Sequence, residues 1–304
     1  MRAIVHDPAA DLRMADVPDP EPAPHEVLLE VRAASVNFLD VVYREHYLAP
    51  GEVPGVDAAG IVLAPAADGT GPPAGTRVVT FAMGGAWAQR RAAPVADTAV
   101  VPDGVDLAAA AALPGAGVTA LQALRRLGPL LGRRVLVTGA SGGVGRFAVQ
   151  LAALAGAHVV AGVGGAGRGA GLTEIGAREV VTDLAEVGEP VAGVIENVGG
   201  PLLGQAFGLL GEDGLVLTVG QASGRPTTVD FEAERRRGPR GRRIEAFVVE
   251  LGMGPDLAVL LDLVARGSLD PQVSRRESWT GFADVARDLR DRRTVGKAVL
   301  EIGA

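Results

Sequence analysis

The sequence predicts an α/β protein in which a doubly wound parallel sheet follows a β-rich segment, and three observations predict it. A glycine-rich turn at 139–145 stands between an apolar run at 135–137 and helically spaced Phe147, Ala148, Leu151, Ala152 and Ala155, and a second apolar run starts at His158. From about Ala110 onward, apolar runs alternate with helix-length segments, the pattern of strands joined by helices that cover both faces of a parallel sheet. Before that point, short alternating runs separated by Gly and Pro read as strands and turns.

Taken in order, residues 26–33 place Val27, Leu29, Val31 and Ala33 on one side and Leu28, Glu30 and Arg32 on the other, which suits a half-buried strand. Pro18, Pro20, Pro22 and Pro24 form a turn-rich lead into it. Residues 53–62 and 77–81 read as short strands separated by the Gly and Pro cluster at 69–75. After the glycine turn and its helix, the pattern predicts a helix near 169–175, strands at 179–182 and 191–196, a helix at 202–210, and strands at 215–219 and 244–249. The tail reads helix, helix, strand at 256–265, 282–289 and 297–302; too short for a domain of its own, it is expected to pack back on the first.

Composition narrows the function. With 304 residues and 48% hydrophobic residues, the chain supports about two domains and a sizeable core. No cysteine is present, which excludes disulfides, thiolate catalysis and cysteine zinc sites. The first residues, MRAIVHD, reach an acid at Asp7 without an apolar signal core, so a cytoplasmic protein is expected. The uncharged stretch 107–124 is broken by Pro114, Gly115 and Gly117, and 147–167 contains the turn's own helix and strand, so no membrane span is expected. A net charge of −7 argues against nucleic acid as a partner. Basic charge is clustered at Arg235, Arg236, Arg237, Arg240, Arg242 and Arg243, either as a solvated loop before a strand or as a phosphate or coenzyme A patch.

The strand, glycine turn, helix and second strand of 134–162 form the arrangement that binds a dinucleotide. Gly139, Gly142, Gly143 and Gly145 let the backbone approach a pyrophosphate, whose charge meets free amides, including that of Val144, and the positive end of the helix. A site for NAD places an acid about twenty residues past the first glycine to bind the ribose hydroxyls. Here that count reaches Ala161, Gly162 and Val163, and no acid follows until Glu174. The space suits a phosphate, and Arg168, whose guanidinium can bind a dianion bidentately, follows closely. NADPH is therefore the expected cofactor. The turn TGASGGVG also fits short-chain dehydrogenases, but those pair a tyrosine with a lysine four residues on, and the only lysine, Lys297, has Arg293 at that spacing.

Several segments together resemble the medium-chain dehydrogenase/reductases, and among them the zinc-free quinone oxidoreductases related to zeta-crystallin: the opening 1–5, SVNFLD at 35–40, PGVDAAGIV at 54–62, LPGAGVTALQAL at 113–124, the glycine turn, NVGG at 197–200 and GKAV at 296–299. The resemblance implies a GroES-like β-rich catalytic domain over 1–115, completed by 250–304, and a Rossmann NADP-binding domain over 116–249, with the active site in the cleft between them. It implies a homodimer paired through the last Rossmann strand, at 244–249. Zinc members carry a histidine and a glutamate where this chain has Gly55, Val56 and Asp57, and a cysteine near Asn37; Val56 cannot bind a metal, and His6, His25, His46 and His158 are scattered, so no metal site is expected.

The resemblance also assigns residues. Arg168 falls where similar quinone reductases carry a basic residue for the adenosine 2′-phosphate. Thr119 matches a residue near the nicotinamide, and Asn197, Gly220 and Gln221 match contacts to its ribose and carboxamide. Phe247 and Val248 are either a further nicotinamide-side segment or core strand residues; Lys297 either reaches the cleft or caps the last strand. Asn37 and Asp40 lie in the motif beside the cofactor, as catalytic groups or loop-orienting ones, and Tyr43 is the candidate proton donor although the family's tyrosine comes one residue earlier, at Val42 here. Trp87 and Phe231 are either cleft-lining or core aromatics. The implied activity is NADPH-dependent hydride transfer to a quinone or an α,β-unsaturated carbonyl compound, with an enoyl-thioester reductase or a non-catalytic NADPH-binding protein as the alternatives. A small-molecule substrate is the expected partner.

Overall fold

The structure, a computed structural model, describes residues 1–9 and 11–303, with the side chain of Arg237 outside the description. The chain divides into two compact units, Met1–Val118 with Glu250–Ala304, and Thr119–Val249.

The first unit begins with β1 (Arg2–Asp7), β2 (Asp11–Asp16), β3 (Glu26–Val36), α1 (Phe38–Val42), β4 (Asp57–Ala64), β5 (Arg77–Phe81), β6 (Arg90–Pro94), β7 (Thr98–Val100) and α2 (Leu107–Ala111). The second contains α3 (Thr119–Arg126), β8 (Arg134–Thr138), α4 (Gly143–Leu154), β9 (His158–Gly162), β10 (Ala177–Val181), β11 (Val191–Glu196), α5 (Pro201–Gly208), β12 (Leu210–Thr218), α6 (Phe231–Arg237) and β13 (Arg243–Ala246). The chain then returns to the first unit as α7 (Gly254–Ala265), β14 (Val273–Ser278), α8 (Phe282–Arg290) and β15 (Lys297–Glu301).

In the first unit a seven-stranded sheet runs β14-β15-β3-β4-β5-β7, with β6 also on β3. Alternation in β3 buries Val27, Leu29 and Val31, as the sequence predicts, and the strand continues to Val36 because Ala33 and Ala34 are small enough to lie flat against β4. Its registers place the site. Ala298 of β15 faces Val36, and Ala58 of β4 faces Ala34, so Lys297, Ser35, Asn37 and Asp57 converge at one end of three adjacent strands. The strand expected from residue 53 starts only at Asp57, because Gly55 turns the chain at φ +94°; a Cβ there would lie 2.7 Å from Trp87 Nε1.

The second unit is a six-stranded parallel sheet in the order β10-β9-β8-β11-β12-β13. Leu136, Val160, Val194 and Val216 form one row across its centre, fully buried, and α5 covers them with Leu203 and Phe207. Each such side chain contributes about 1.5–3 kcal/mol. Order reverses between β8 and β11, so the ligand crevice of such a sheet opens at the carboxyl ends of these two strands. No helix forms at 169–175; the glycines there support only turns, after a 3-10 turn at Ala166–Arg168.

Candidate functional site

In the second unit, β8 ends at Thr138 and Gly139 reverses the chain at φ +58°. Gly142 caps α4 without any side-chain acceptor, so the first amides of the helix remain available to a ligand. Gly145 packs α4 against the turn: a Cβ there would lie 2.6 Å from Ala140 Cα. Beyond β9, Gly164, Gly165 and Gly167 face open space, and Arg168 Nε donates to Ser141 Oγ at 3.0 Å, inside the turn. The bare amides, the glycine cradle and a guanidinium in place of an acid fit a dinucleotide bearing an extra phosphate.

A buried carboxylate ties the carboxyl ends of β8 and β11. Glu196 is fully buried; its Oε1 accepts from Thr138 Oγ1 at 2.9 Å and Val198 N at 3.0 Å, and its Oε2 from Gly199 N at 2.8 Å. Asn197 N donates to Thr138 Oγ1 and Asn197 Nδ2 to Thr138 O, at 3.0 and 2.8 Å. Burial holds the Glu196 carboxyl above its ordinary range, against the pull of these donors. Gly220 lies against Asn197, where a Cβ would come within 2.9 Å of the Asn197 carbonyl oxygen, and Gln221 Nε2 donates to Arg225 O at 3.2 Å. Thr119 opens α3. Sequence reasoning passed over Glu196, although an acid at the end of an otherwise apolar strand is itself a signal.

The first unit holds a second polar cluster. Asp57 Oδ2 accepts from the Ser35 hydroxyl at 2.7 Å and from Asn37 Nδ2 at 2.8 Å, and its Oδ1 from Gly115 N at 2.8 Å. Lys297 Nζ donates to Asn37 Oδ1 at 2.5 Å and lies 3.8 Å from Asp57 Oδ2. Lys297 therefore neither caps a strand end nor stands exposed: it is a buried cation, its pKa lowered by burial against the opposing pull of Asp57 and Asp40. Asp40, on α1, accepts from Asn37 N at 2.8 Å, Val56 N at 3.2 Å and Tyr47 Oη at 3.4 Å. Burial, then the nearby Asp57, pushes its pKa up to about 7, while the Asn37 amide and Lys297 oppose. Arg91 is buried beside them, donating to Val56 O, Ala82 O and Thr80 Oγ1, and burial lowers its pKa to about 10.

Other expected residues divide. Tyr43 stacks edge-on with Phe38 and His46, whereas Tyr47 is the tyrosine that reaches Asp40. Trp87 is a core residue, 1% exposed, donating to Ser35 O. Phe231 is exposed and packs edge-on against Phe207, within the second unit. Phe247 and Val248 lie past the end of β13, and at 80% exposure Val248 is not a core strand residue. The arginine cluster is not all loop: Arg235 and Arg236 lie exposed on α6, Arg240 and Arg243 are exposed as well, and the half-buried Arg242 pairs with Glu234 at 2.8 Å and stacks over Phe207. Arg237 carries no described side chain. His6 lies beside Arg44, and His158 pairs with Glu179 at 2.6 Å. Among the described residues no group of three or more His, Asp or Glu could hold a metal. No helix among them is long and apolar enough to cross a membrane.

Comparison with known proteins bears on both units. The alcohol dehydrogenase GroES-like domain family matches residues 23–111, and the zinc-binding dehydrogenase family matches residues 171–300. A synaptic vesicle membrane protein VAT-1 homolog of Mus musculus is 32% identical over 318 residues, 93% of this chain and 78% of that protein. A chloroplast envelope quinone oxidoreductase homolog of Arabidopsis thaliana is 40% identical over 168 residues, so the match spans about half of each, 50% and 51%. Erythronolide synthase EryA2 of Saccharopolyspora erythraea is 36% identical over 315 residues, 92% of this chain but 8% of that much longer protein. Among solved structures, a mycobacterial protein complexed with NADPH superposes with a TM-score of 0.89 at 27% identity, covering 99% of both chains.

Proposed function

The chain belongs to the zinc-free quinone oxidoreductases of the medium-chain dehydrogenase/reductase family, and on that premise we propose that it is an NADPH-dependent reductase of quinones or α,β-unsaturated carbonyl compounds. The observation that carries the cofactor is Arg168, bonded to Ser141 of the glycine turn where an NAD site would hold an acid. NADPH bound at this turn supplies the hydride.

The chain's own residues divide the remaining work. The amides of Gly143 and Val144, with Gly139, Gly142 and Arg168, hold the phosphates, and Thr119, Asn197, Gly220, Gln221, Phe247 and Val248 hold the nicotinamide half. Asn37 is fixed by Lys297 and Asp57, and Asp40 keeps a proton near neutral pH, so this cluster presents little net negative charge where a substrate oxygen gains electron density. Tyr43 is the proposed donor of the proton that follows the hydride, to the oxygen of a quinone or to the oxygen or α-carbon of an enone, and a Tyr43→Phe protein that turns over at the full wild-type rate would remove it from the reaction. The free edge of β13, with Ile244 exposed, is the proposed surface of a homodimer.

The experiment follows nicotinamide absorbance with NADPH or NADH and a panel of quinones and enones, before and after treatment with a chelator. NADPH oxidation that survives the chelator, at least tenfold faster than with NADH, is expected. Tight NADPH binding with no acceptor reduced would identify a non-catalytic binding protein instead. A second reading, reduction of an enoyl thioester, draws on the 36% identity with a stretch of the erythronolide synthase. Arg235, Arg236, Arg240 and Arg243 are exposed and stay available to a carrier phosphate, whereas Arg242 is engaged with Glu234. A crotonyl thioester reduced faster than every free enone would favour it.

A further inference from the structure

Glu196 combines three properties that rarely occur together. It is fully buried, it accepts in all three of its side-chain hydrogen bonds, from neutral donors, and among the described residues no cation pairs with it. Removing a carboxylate from water without a cation is costly, and three donors offset only part of that cost. Such a charge persists where something else balances it. The bonds of Glu196 span β8 and β11, the two strands between which the sheet order reverses, and therefore line the floor of the cofactor crevice.

The direction of the dinucleotide along that crevice follows from the sheet. The adenosine half of such a cofactor lies over the strand after the glycine helix, β9, and Arg168, in the turn that follows β9, bonds to Ser141 of the glycine turn. The nicotinamide half consequently lies on the side of β11 and β12. Its oxidised ring carries a positive charge that its reduced ring lacks. A fixed negative charge beneath it favours the oxidised form by Coulomb attraction, weakly screened because the carboxylate is buried.

Resting on the NADPH reading above, we propose that Glu196 sets the relative affinity of this protein for the oxidised and reduced cofactor, by supplying the buried counter-charge for the oxidised nicotinamide and by positioning residues 197–200. The residue favours product-side NADP over NADPH and makes the bound reduced cofactor a stronger reductant. By linkage, a tenfold change in the affinity ratio corresponds to about 30 mV in the bound two-electron couple.

The test measures Kd for NADPH by its fluorescence and for NADP by calorimetry, on the purified chain and its Glu196→Gln and Glu196→Asp variants. Loss of charge in Glu196→Gln is expected to raise Kd(NADP)/Kd(NADPH) by roughly three- to tenfold. Glu196→Asp, which keeps the charge, is expected to leave the ratio within about twofold while weakening both ligands. Equal weakening of both ligands in Glu196→Gln would make the residue merely structural and overturn the inference. If Glu196→Gln does not fold, a ratio displaced by an order of magnitude in Glu196→Asp overturns it equally. Wild-type protein that binds neither nucleotide would instead overturn the cofactor reading on which it rests.

Discussion

Lys297 and Asp40 carry the chemistry of the first unit at the scale of single residues. Lys297 neutralises Asp57 through Asn37 at a position sealed from water. Replacing it by methionine removes the cation paired with Asp57 and leaves only the buried Arg91 near it, and Lys297→Met is expected to lower unfolding free energy by about 3 kcal/mol in urea denaturation; a change below about 0.5 kcal/mol would mean that Asp57 needs only its hydrogen bonds and Arg91. Asp40 behaves in the opposite sense to a salt-bridged acid. Its pKa rises from 3.8 to about 7 on folding, so the folded chain binds a proton that the unfolded chain has released between those values. Its contribution is fully present below pH 3.8 and is lost as pH rises through about 7. Thermal and urea unfolding of Asp40→Asn against wild type should show the variant gaining on the order of 2 kcal/mol relative to wild type between pH 5 and 8. A constant difference across that range would contradict the buried, proton-holding carboxyl.

The glycine turn and the strand register decide the fold at the scale of elements. Gly145→Val would drive a side chain into Ala140 at the β8–α4 turn, and it is expected to abolish nucleotide binding and lower stability by more than about 2 kcal/mol. Arg168→Glu should raise Kd for NADPH at least tenfold while leaving NADH within about threefold; equal losses for the two would place Arg168 away from the 2′-phosphate. The turn itself was legible because glycines, a preceding apolar run and helical spacing all agree locally. Elements set by tertiary context were not. The arginine-rich segment reads as loop, yet Asp230 caps α6 and Arg242 pins it through Glu234 and, from a distant part of the chain, Phe207. The predicted helix at 169–175 failed because its helical spacing is interrupted by glycines, and β14 escaped notice because Arg275, Arg276 and Glu277 mask its alternation. Lys297 looked ambiguous for the same reason: only the pairing of β15 with β3 brings it to Asn37.

At the scale of the whole molecule, the fold class and family were legible because motifs for both units occur in order along one chain. The cluster Asp57, Lys297, Asn37 and Asp40 was not, since its members come from β4, β15, the junction of β3 with α1, and α1, and meet only through sheet registry. Ile244→Lys on the exposed edge of β13 is expected to convert the proposed dimer to monomer in light scattering, and a wild-type monomer would remove that edge as an interface. The central claim is reduction by NADPH bound at the glycine turn. It is tested most directly with NADPH deuterated on the transferred position of the nicotinamide, incubated with protein and a simple enone, the product being examined by mass spectrometry and NMR. The account predicts one deuterium at the β-carbon of a saturated ketone, lost in a Gly145→Val protein. Product without deuterium at that carbon, or NADPH bound and never consumed, would contradict it.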